Sequence, residues 1–418
     1  MTKIHIIGAG IAGLSAAVRL VNSGHKIHLY ESAGHAGGRC RSFYDDHLGC
    51  RIDNGNHLLL SGNPSVFTYL QTINATDQLV GPEKAIFPFI DIPSLRHWTV
   101  EIAKSALPFW LLKKDRRIPD TRIFDYLTVA KLLFAKDMQT LGDIVDTHTP
   151  LYQMFLEPLA VGVMNTPAEI SSAHLLGTVL RETFARGADS CKPRIAKDGL
   201  SETFVDPALT YLRKHGVFYR ENTRLREIEI EGTRINQLKF SSDIIRFSEG
   251  EIVLLATPAP VTAKLIPQLT VPTDTYPIIN AHFRLPNGFR AVNDAGLIGI
   301  VGGTAQWLFF RGDVISATVS AAENLVDAPA KSIAQMIWSD ITRSVNGLPS
   351  MMPSTHRIVK ERRATISQTP ESNRLRSNTT CHLDNVLLAG DWTNTGLPAT
   401  IEGSIKSGNQ AANVILKH

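Results

Sequence analysis

A glycine-spaced turn at residues 8–13 constrains the fold of this chain more than any other feature. Residues 4–7 predict a short buried strand, and residues 14–20 carry apolar side chains at helical spacing. A second strand is predicted at 26–30, and it ends on the acidic Glu31. Strand, GxGxxG, helix, strand and acid in this order are typical of a dinucleotide-binding unit in a parallel α/β sheet. We therefore expect a Rossmann-like fold.

The three glycines of this turn have separate expected roles. Gly8 permits the tight turn, Gly10 lets a pyrophosphate approach the backbone, and Gly13 lets the helix pack closely on the strand. The free N–H groups of Ile11 and Ala12 then face the phosphates, because the N-terminus of a helix favours negative charge. All five residues are predicted to contact the cofactor.

The loop after the second strand distinguishes FAD from NAD. Glu31 can accept hydrogen bonds from the adenosine ribose hydroxyls. Residues 34–39 then read Gly-His-Ala-Gly-Gly-Arg, where Gly38 precedes Arg39 and the arginine can neutralise pyrophosphate charge. In this element the chain resembles the flavin amine oxidase and phytoene desaturase superfamily, which implies FAD. A glycine-rich surface loop is the alternative interpretation.

The end of the sequence is predicted to return to the same cofactor. A strand run at 386–388 leads into Gly390 and Asp391, whose carboxylate can bind the ribityl hydroxyls of FAD. A helical pattern then begins at Thr400 and Ile401, and its N-terminus can stabilise negative charge on the flavin pyrimidine ring. Charged residues are common after strands, so Asp391 alone would be weak evidence.

The superfamily resemblance implies further cofactor contacts. Residues 53–57, Asp-Asn-Gly-Asn-His, match the segment that passes beside the isoalloxazine ring, with Gly55 allowing close approach and Asn56 next to it. Leu225 matches a strand that lends backbone groups to the adenine. Leu225 lies near the start of a stretch, 223–256, that we predict to be a β-meander.

These segments divide the chain into two interleaved domains. We assign residues 1–75, 200–255 and 381–418 to the FAD-binding domain, and residues 76–199 and 256–380 to a substrate domain. The expected fold class is α/β: a Rossmann-like FAD-binding domain of the flavin amine oxidase type, interleaved with an α+β substrate domain. The elements expected in the substrate domain are helices at 126–134, 174–184 and 331–344 and strands at 297–301 and 308–310.

Composition excludes other classes of protein. The chain has 418 residues, of which 43% are hydrophobic and 20% charged, and a formal net charge of +4. No basic stripe with interleaved aromatics indicates nucleic acid. The four cysteines lack metal-binding spacing, so we expect no metal, reduced thiols and a cytoplasmic protein. No apolar stretch reaches the roughly 18 residues of a membrane span, so membrane contact would be peripheral, on the inner face of the cytoplasmic membrane.

Several blocks resemble one branch of the superfamily, the hydroxysqualene dehydroxylases. They are residues 53–60, residues 157–159 with 165–167, residues 360–365, and above all residues 389–403, Ala-Gly-Asp-Trp-Thr-Asn-Thr-Gly-Leu-Pro-Ala-Thr-Ile-Glu-Gly. The resemblance spans almost the whole chain. It implies removal of an allylic hydroxyl from hydroxysqualene to give squalene, in squalene and hopanoid biosynthesis, with reduced flavin as the hydride source.

Other activities stay open on the residues alone. The loop at 395–398 is apolar and lacks an aromatic side chain, so it suits a hydrocarbon better than the amine of an amine oxidase. It suits a carotenoid precursor equally well, so a phytoene-type desaturase is the alternative enzyme. A protein that holds FAD only as a structural or regulatory element is a third class. Fold alone does not decide among them, and the sequence names neither the electron donor nor the oligomeric state.

An isoprenoid substrate predicts a membrane-facing surface. We expect it within residues 86–134, at Ile86–Ile90, at Leu107–Leu112 and at the basic run Lys113–Arg117. Apolar and aromatic side chains there can enter the interface while the cations meet anionic head groups. A buried helix with a solvated basic end is the alternative.

Two titratable residues are candidates for the proton donor that the leaving hydroxide requires. His57 is the first candidate, because the resemblance implies that it lies along the flavin ring and histidine titrates near working pH. Glu157 is the second, since burial among apolar side chains would raise its pKa. Alternatively, His57 only hydrogen-bonds the flavin and Glu157 only pairs locally.

Overall fold

A computed structural model of the protein describes residues 2–104, 112–285 and 295–417. The strands are β1 (Lys3–Ile7), β2 (Lys26–Tyr30), β3 (Ser42–Asp45), β4 (Cys50–Asp53), β5 (Leu59–Leu60), β6 (Leu79–Val80), β7 (Ile86–Asp91), β8 (Arg96–Glu101), β9 (Pro193–Ala196), β10 (Phe218–Arg220), β11 (Leu225–Glu231), β12 (Arg234–Phe240), β13 (Ile244–Arg246), β14 (Ile252–Leu255), β15 (Thr275–Arg284), β16 (Leu297–Val301), β17 (Trp307–Arg311), β18 (Val314–Val319), β19 (His356–Ile366) and β20 (Val386–Leu388).

The α-helices are α1 (Ile11–Leu20), α2 (Pro64–Thr72), α3 (Leu127–Leu132), α4 (Leu141–Ile144), α5 (Glu157–Met164), α6 (Ala173–Glu182), α7 (Asp206–Lys214), α8 (Ala259–Leu265), α9 (Ala330–Ser344), α10 (Pro370–Arg374) and α11 (Ile401–Ile415). Short 3₁₀ turns include Lys114–Arg116 and Ile123–Tyr126, and π-helical turns lie at Tyr152–Leu156 and Ser201–Val205.

A parallel sheet in the order β10-β2-β1-β14-β20 organises the first part of the fold. Its strands come from distant parts of the chain: Ile4 pairs with Ile27 on one side and with Ile252 on the other. Strands covered on both faces are apolar almost throughout, and Ile4 is fully buried. Because parallel strands end at the same edge, the chain segments after β1, β2, β14 and β20 meet there.

Two helices cover one face of this sheet at close range. Helix α1 contacts α11, and both contribute to one hydrophobic cluster with β1 and β2. A Cβ on Gly408 of α11 would lie 2.2 Å from the carbonyl oxygen of Ala12, so glycine allows the two backbones to touch. The first and last helices of the described chain are therefore packed together.

A second sheet has the order β19-β15-β18-β17-β16-β7-β8 and is antiparallel except for the β16–β7 pair. Helix α9 contributes Ile333 and Ile337 to the cluster against this sheet, and both side chains are fully buried. Helices α3, α4, α5 and α6 form a further cluster with the aromatic side chains of Phe89 and Trp307.

The fold class expected from the sequence is confirmed: a Rossmann-like parallel sheet accompanies an α+β part. The predicted β-meander is wrong in its last strand. Strands β11, β12 and β13 do form an antiparallel sheet, but β14 leaves it and lies between β1 and β20 in the parallel sheet. The assignment of chain segments to two domains stays a prediction.

The predicted membrane surface is wrong in its first part. Ile86–Asp91 is strand β7, and its Phe87 and Phe89 are 4% and 2% exposed, so these side chains belong to the core. Residues Leu107–Leu111 lie outside the described residues. Lys113, Lys114 and Arg116 are exposed as expected. In the described part of the chain, no helix has both the length and the apolar character needed to cross a bilayer.

Two buried histidines predict a loss of stability in mild acid. Burial lowers the pKa values of His5 and His282 from 6.5 to about 4. As the pH falls from 6.5 to 4, these two histidines bind protons in the unfolded chain but stay neutral in the folded protein. The free energy of unfolding therefore decreases. Each histidine contributes at most about 1.4 kcal/mol per pH unit.

Urea unfolding midpoints between pH 7 and pH 4.5 measure this effect. The variant His282→Gln should lose less stability per pH unit than the wild type, whereas the exposed His47→Gln should keep the wild-type slope. Equal slopes for the wild type and His282→Gln would contradict the assignment.

Candidate functional site

The turn at the start of α1 leaves open space in front of a helix N-terminus. Gly8 has φ +105°, and a Cβ there would lie 2.5 Å from the carbonyl oxygen of Ala256. A Cβ on Gly13 would lie 1.9 Å from the carbonyl oxygen of Gly8. In contrast, a Cβ on Gly10 would meet nothing within 4 Å, and no side chain caps the helix. The backbone around Ile11 and Ala12 is thus available to a phosphate.

The loop at 34–39 passes directly in front of this helix. Gly37 donates its N–H to the carbonyl oxygen of Ala9 at 2.8 Å and forms a parallel bridge with Gly10. Gly38 has φ +59°, and a Cβ there would lie 3.4 Å from the Cα atom of Gly10. The paired glycines therefore let two backbone segments approach closely, and we call the open space at Gly10 beside them the glycine channel.

Glu31 directly follows β2, at the position predicted to bind the adenosine of the cofactor. Its carboxylate accepts N–H groups of Ala9 and Ala33, each at 2.9 Å, which hold it beside the glycine turn. The carbonyl oxygen of Glu31 accepts the N–H of Thr223 at 2.7 Å. Leu225 begins β11 two residues later and is buried. The structure thus brings Glu31 and Leu225, the two predicted adenosine contacts, to the same region.

Arg39 and Asp391 are in direct contact across the length of the chain. The guanidinium Nη2 of Arg39 donates to Oδ1 of Asp391 at 2.7 Å, and a second N–H donates to the carbonyl oxygen of Ala364. The charge of Asp391 raises the pKa of Arg39, so the guanidinium stays charged. Asp391 is buried, while Arg39 is partly exposed. Gly390, which precedes Asp391, has φ +148°. Arg39 and Asp391, predicted to bind the adjacent pyrophosphate and ribityl parts of the cofactor, therefore form one wall.

Arg376 holds the loop after Asp391, and the sequence analysis missed it. Its guanidinium is buried and donates to the carbonyl oxygens of Asp391 at 2.9 Å, Thr393 at 3.1 Å and Leu397 at 2.6 Å. Burial lowers its pKa to about 10, so it stays charged at neutral pH. Nothing in the neighbouring sequence marks it, because these three carbonyl acceptors lie 15 to 21 residues farther along the chain.

The start of α11 joins the cofactor end to α2. Thr400 caps the helix by accepting the N–H of Gly403 at 3.1 Å, and Ile401 is its first residue. Glu402 is 5% exposed and accepts the N–H groups of Ser65 at 3.0 Å and Val66 at 2.9 Å. Burial raises the pKa of Glu402. Its carboxylate thus caps α2, a role that sequence inspection did not assign.

The segment at 53–57 is fixed at its start by a buried ion pair. Asp53 accepts a hydrogen bond from Arg311 of β17 at 2.7 Å, from the Ser42 hydroxyl at 2.7 Å and from the N–H of Leu200 at 2.9 Å. These partners come from three separate parts of the chain. The segment therefore has one defined position relative to the second sheet.

An amide network holds the middle of the same segment. Asn56 donates through Nδ2 to the Thr318 hydroxyl at 3.0 Å and to Oδ1 of Asn280 at 3.3 Å. Asn280 returns a hydrogen bond from its own Nδ2 to the carbonyl oxygen of Asn54 at 3.2 Å. A Cβ on Gly55 would lie 3.4 Å from Nδ2 of Asn280, which leaves little room for a side chain. Strands β15 and β18 thus position Asn56, and neither partner was expected from the sequence.

His57 follows this network in a poorly solvated position. Burial lowers its pKa to about 4, with Asp53 opposing and Arg39 adding to the shift. Its ring makes no hydrogen bond with any residue that the structure describes. At neutral pH the imidazole is therefore uncharged, which suits a hydrogen-bonding role better than donation by an imidazolium.

Glu157 stands at the other candidate position, at the start of α5 directly after the π-helical turn Tyr152–Leu156. The adjacent Leu156 and Pro158 are buried, whereas Glu157 keeps more than a third of its surface exposed. Desolvation raises its pKa above the ordinary glutamate value. The direction is the one expected for a carboxylic acid that donates a proton.

Comparison with known proteins identifies the class to which this arrangement belongs. Residues 11–416 match the flavin containing amine oxidoreductases, and the chain belongs to that family. The cofactor of this chain is thus a flavin. Its open helix N-terminus, glycine channel and Arg39–Asp391 wall fit such a group.

Relatives with about 42% sequence identity to this chain are hydroxysqualene dehydroxylases. The chain is 42% identical to the hydroxysqualene dehydroxylase of Sinorhizobium fredii over 99% of its own length and 98% of the relative. It is 41% identical to that of Zymomonas mobilis over the full length of both. The zeta-carotene desaturase of a Synechocystis species is more distant, with 19% identity over 99% of this chain and 97% of the relative.

Solved structures of low sequence identity share the fold. A putrescine oxidase variant superposes with a TM-score of 0.72 at 15% identity, covering 100% of both chains. The cyclohexylamine oxidase of Brevibacterium oxydans gives a TM-score of 0.70 at 13% identity, covering 100% of this chain and 99% of that one.

The glycines of the turn predict two different outcomes for the same alanine substitution. Gly10→Ala should fold normally, because its Cβ meets open space at an ordinary φ, but should fill the channel and weaken flavin binding by about 1–3 kcal/mol, the cost of lost phosphate hydrogen bonds. Gly13→Ala should destabilise the folded protein itself, because its Cβ overlaps a backbone oxygen. Flavin content by absorbance and the thermal midpoint of flavin-free protein measure the two effects. Full flavin retention by Gly10→Ala would contradict the assigned channel.

Proposed function

We propose that this chain is a hydroxysqualene dehydroxylase, which removes the allylic hydroxyl of hydroxysqualene to give squalene in squalene and hopanoid biosynthesis. The observation that carries the proposal is the identity of about 42% to relatives of that name over nearly the whole of both chains. It covers both the flavin-holding ends and the second sheet.

We propose FAD as the flavin because the chain has a place for an adenosine. Glu31 and the segment at 222–225 lie at the end of β2, beyond the glycine channel that fits the pyrophosphate. FMN has no adenosine to use these residues. The remaining predicted contacts then follow the cofactor from Gly10 through Arg39 to Asp391, Thr400 and Ile401.

A bound reduced flavin would supply the hydride for the allylic carbon, and residues of the chain would bind the substrate, exclude water and supply the proton. Hydroxide is a poor leaving group, so a residue has to donate a proton to the departing oxygen. The carbon left behind is an allylic cation, which water would recapture. Leu397, Pro398 and Ala399 are buried and apolar, and the hydrogen bonds of Arg376 hold their loop in place. This loop suits the exclusion of water.

Glu157 is proposed to donate the proton, and His57 is proposed to orient the reacting groups. The raised pKa of Glu157 supports proton donation to the leaving oxygen. The lowered pKa of His57 supports a neutral imidazole that orients the substrate hydroxyl or the flavin edge. Asn56, fixed by Asn280 and Thr318, positions His57.

Desaturation of a carotenoid precursor is the second candidate function. The full-length similarity to zeta-carotene desaturases supports it, although at 19% identity to the Synechocystis protein. Both activities need FAD and an apolar site. They differ in direction, because a desaturase removes hydride from a hydrocarbon and the dehydroxylase adds hydride to a carbon that loses oxygen.

We place the protein in the cytoplasm, peripheral to the inner face of the cytoplasmic membrane. A C30 hydrocarbon alcohol is nearly insoluble in water, so it must reach the site from a bilayer. Because two electrons leave the flavin in each turnover, a separate reductant must supply them. No contact with nucleic acid is part of this proposal.

Anaerobic single turnover tests the activity. Protein reduced with dithionite and given hydroxysqualene should form one squalene per flavin, identified by mass, while the flavin absorbance returns. Oxidised protein given phytoene should form no product. Desaturated carotenoid from phytoene, with no squalene from hydroxysqualene, would favour the second candidate.

Substitution of the proposed proton donor predicts a loss of rate with a defined pH dependence. Glu157→Gln should slow flavin reoxidation by about 10²–10⁴-fold, the usual effect of a lost general acid. In the wild type the rate should fall as the pH rises through the raised pKa of Glu157, because only the protonated form donates. The variant should lose that dependence.

Glu157 and Glu169 both lie near Tyr152. The control is therefore Glu169→Gln, which removes an exposed carboxylate and should leave the rate unchanged. His57→Asn should lower the rate without removing the pH dependence. All variants are compared at full flavin content. A wild-type rate for Glu157→Gln would assign the proton to another donor.

A further inference from the structure

A row of large apolar side chains faces outward along one side of the segment Ile123–Phe134. Phe124 is 76% exposed, Leu127 59% and Phe134 84%. Ala130 is also exposed, and the four positions recur at the spacing of one helical face. We call these four residues the outer face. Contiguous exposure of this kind marks an interaction surface rather than ordinary surface variation.

The opposite side of the same segment is firmly packed, so the outer face has a fixed direction. Leu132 is fully buried, and its carbonyl oxygen would lie 2.1 Å from a Cβ on Gly177 of α6. The Tyr126 hydroxyl accepts the N–H of Ile118 at 2.8 Å. Arg181 of α6 donates to the carbonyl oxygen of Leu133. The exposed side chains are therefore held away from the core.

Exposed basic side chains flank the outer face along the chain. Lys113, Lys114, Arg122, Lys131 and Lys136 are exposed, and none of them forms an ion pair within the described parts of the chain. Long basic side chains around an apolar centre suit a surface that is oily inside and anionic at its rim.

The acidic residues of the same region are already engaged. Asp120 pairs with Arg96 at 2.6 Å, and Asp137 pairs with His174 at 3.4 Å. Asp125 accepts the backbone N–H of Arg122 at 2.7 Å. Residues 113–137 carry seven lysines and arginines against four aspartates, so the net charge of this region is positive and complements an anionic lipid bilayer.

We propose that the outer face inserts into the interfacial region of an anionic bilayer, with the five cations on the lipid head groups. The proposal rests on the proposed function for one point, that the substrate is a hydrocarbon dissolved in the membrane. It moves the membrane contact from strand β7, which is buried, to the segment at 123–134. The helices behind this segment belong to the same cluster as α5, which carries Glu157.

Flotation with vesicles tests the proposal on the flavin-loaded protein. Wild type should bind vesicles of phosphatidylglycerol and phosphatidylcholine at low salt and release them as salt increases. Phe124→Ser with Phe134→Ser should reduce the bound fraction at least tenfold at all salt concentrations. Lys131→Glu with Lys136→Glu should bind less at low salt and converge on the wild type at high salt.

Matched controls lie elsewhere on the surface. Met351→Ser removes another apolar side chain that is 81% exposed, and Lys331→Glu reverses an exposed charge on α9. Both should bind vesicles like the wild type. Flavin content and thermal midpoint should be unchanged in every variant, since the altered side chains contact solvent.

Three outcomes would overturn the proposal: no wild-type binding to anionic vesicles at low salt, equal binding by the double serine variant, or a self-association that this variant abolishes in the absence of lipid. The last would make the outer face a protein interface. Activity in detergent micelles separates this proposal from the proposed function. Vesicle binding without dehydroxylation in micelles would refute the function and leave the surface intact, whereas activity in micelles without vesicle binding would do the reverse.

Discussion

The ion pair between Arg39 and Asp391 is the contact on which the rest of the site depends. It joins the loop after the second strand to the loop after the last one, and Arg376 fixes the second loop from behind through backbone carbonyls. Since α1 and α11 also pack at backbone contact, the first and last helices of the described chain are held together behind this pair. Loss of Arg39 would leave the buried Asp391 carboxylate without its ion-pair partner, which disfavours rearrangement of the wall.

A second constraint ties this wall to the antiparallel sheet. The hydrogen bonds among Asn56, Asn280 and Thr318, with the Asp53–Arg311 pair, set the position of the segment at 53–57 relative to strands β15, β17 and β18. These buried polar groups satisfy one another, which favours a single arrangement over several. The proposed chemistry needs such precision, because hydride transfer requires reacting atoms at near-attack distance.

The sequence predicted what local spacing encodes. The glycine turn, the helix that follows it and the start of the last helix at Thr400 and Ile401 depend on neighbouring residues, and the structure has each of them. Prediction from the sequence failed where the position of a segment depends on residues far along the chain. An apolar run such as Ile252–Leu255 pairs equally well in either sheet, and Ile86–Ile90 has the same composition whether buried or lipid-facing. Arg376 and Asn280 act on partners far along the chain, so no local pattern marks them.

The proposed reduction of an allylic carbon by the flavin is tested most directly by isotope transfer. A single anaerobic turnover in D₂O, after the exchangeable N–H hydrogens of the reduced protein have equilibrated, should yield squalene with one deuterium at the carbon that carried the hydroxyl. Mass spectrometry and NMR locate that atom. Squalene without deuterium at this carbon, or unchanged hydroxysqualene from fully reduced protein, would contradict the account.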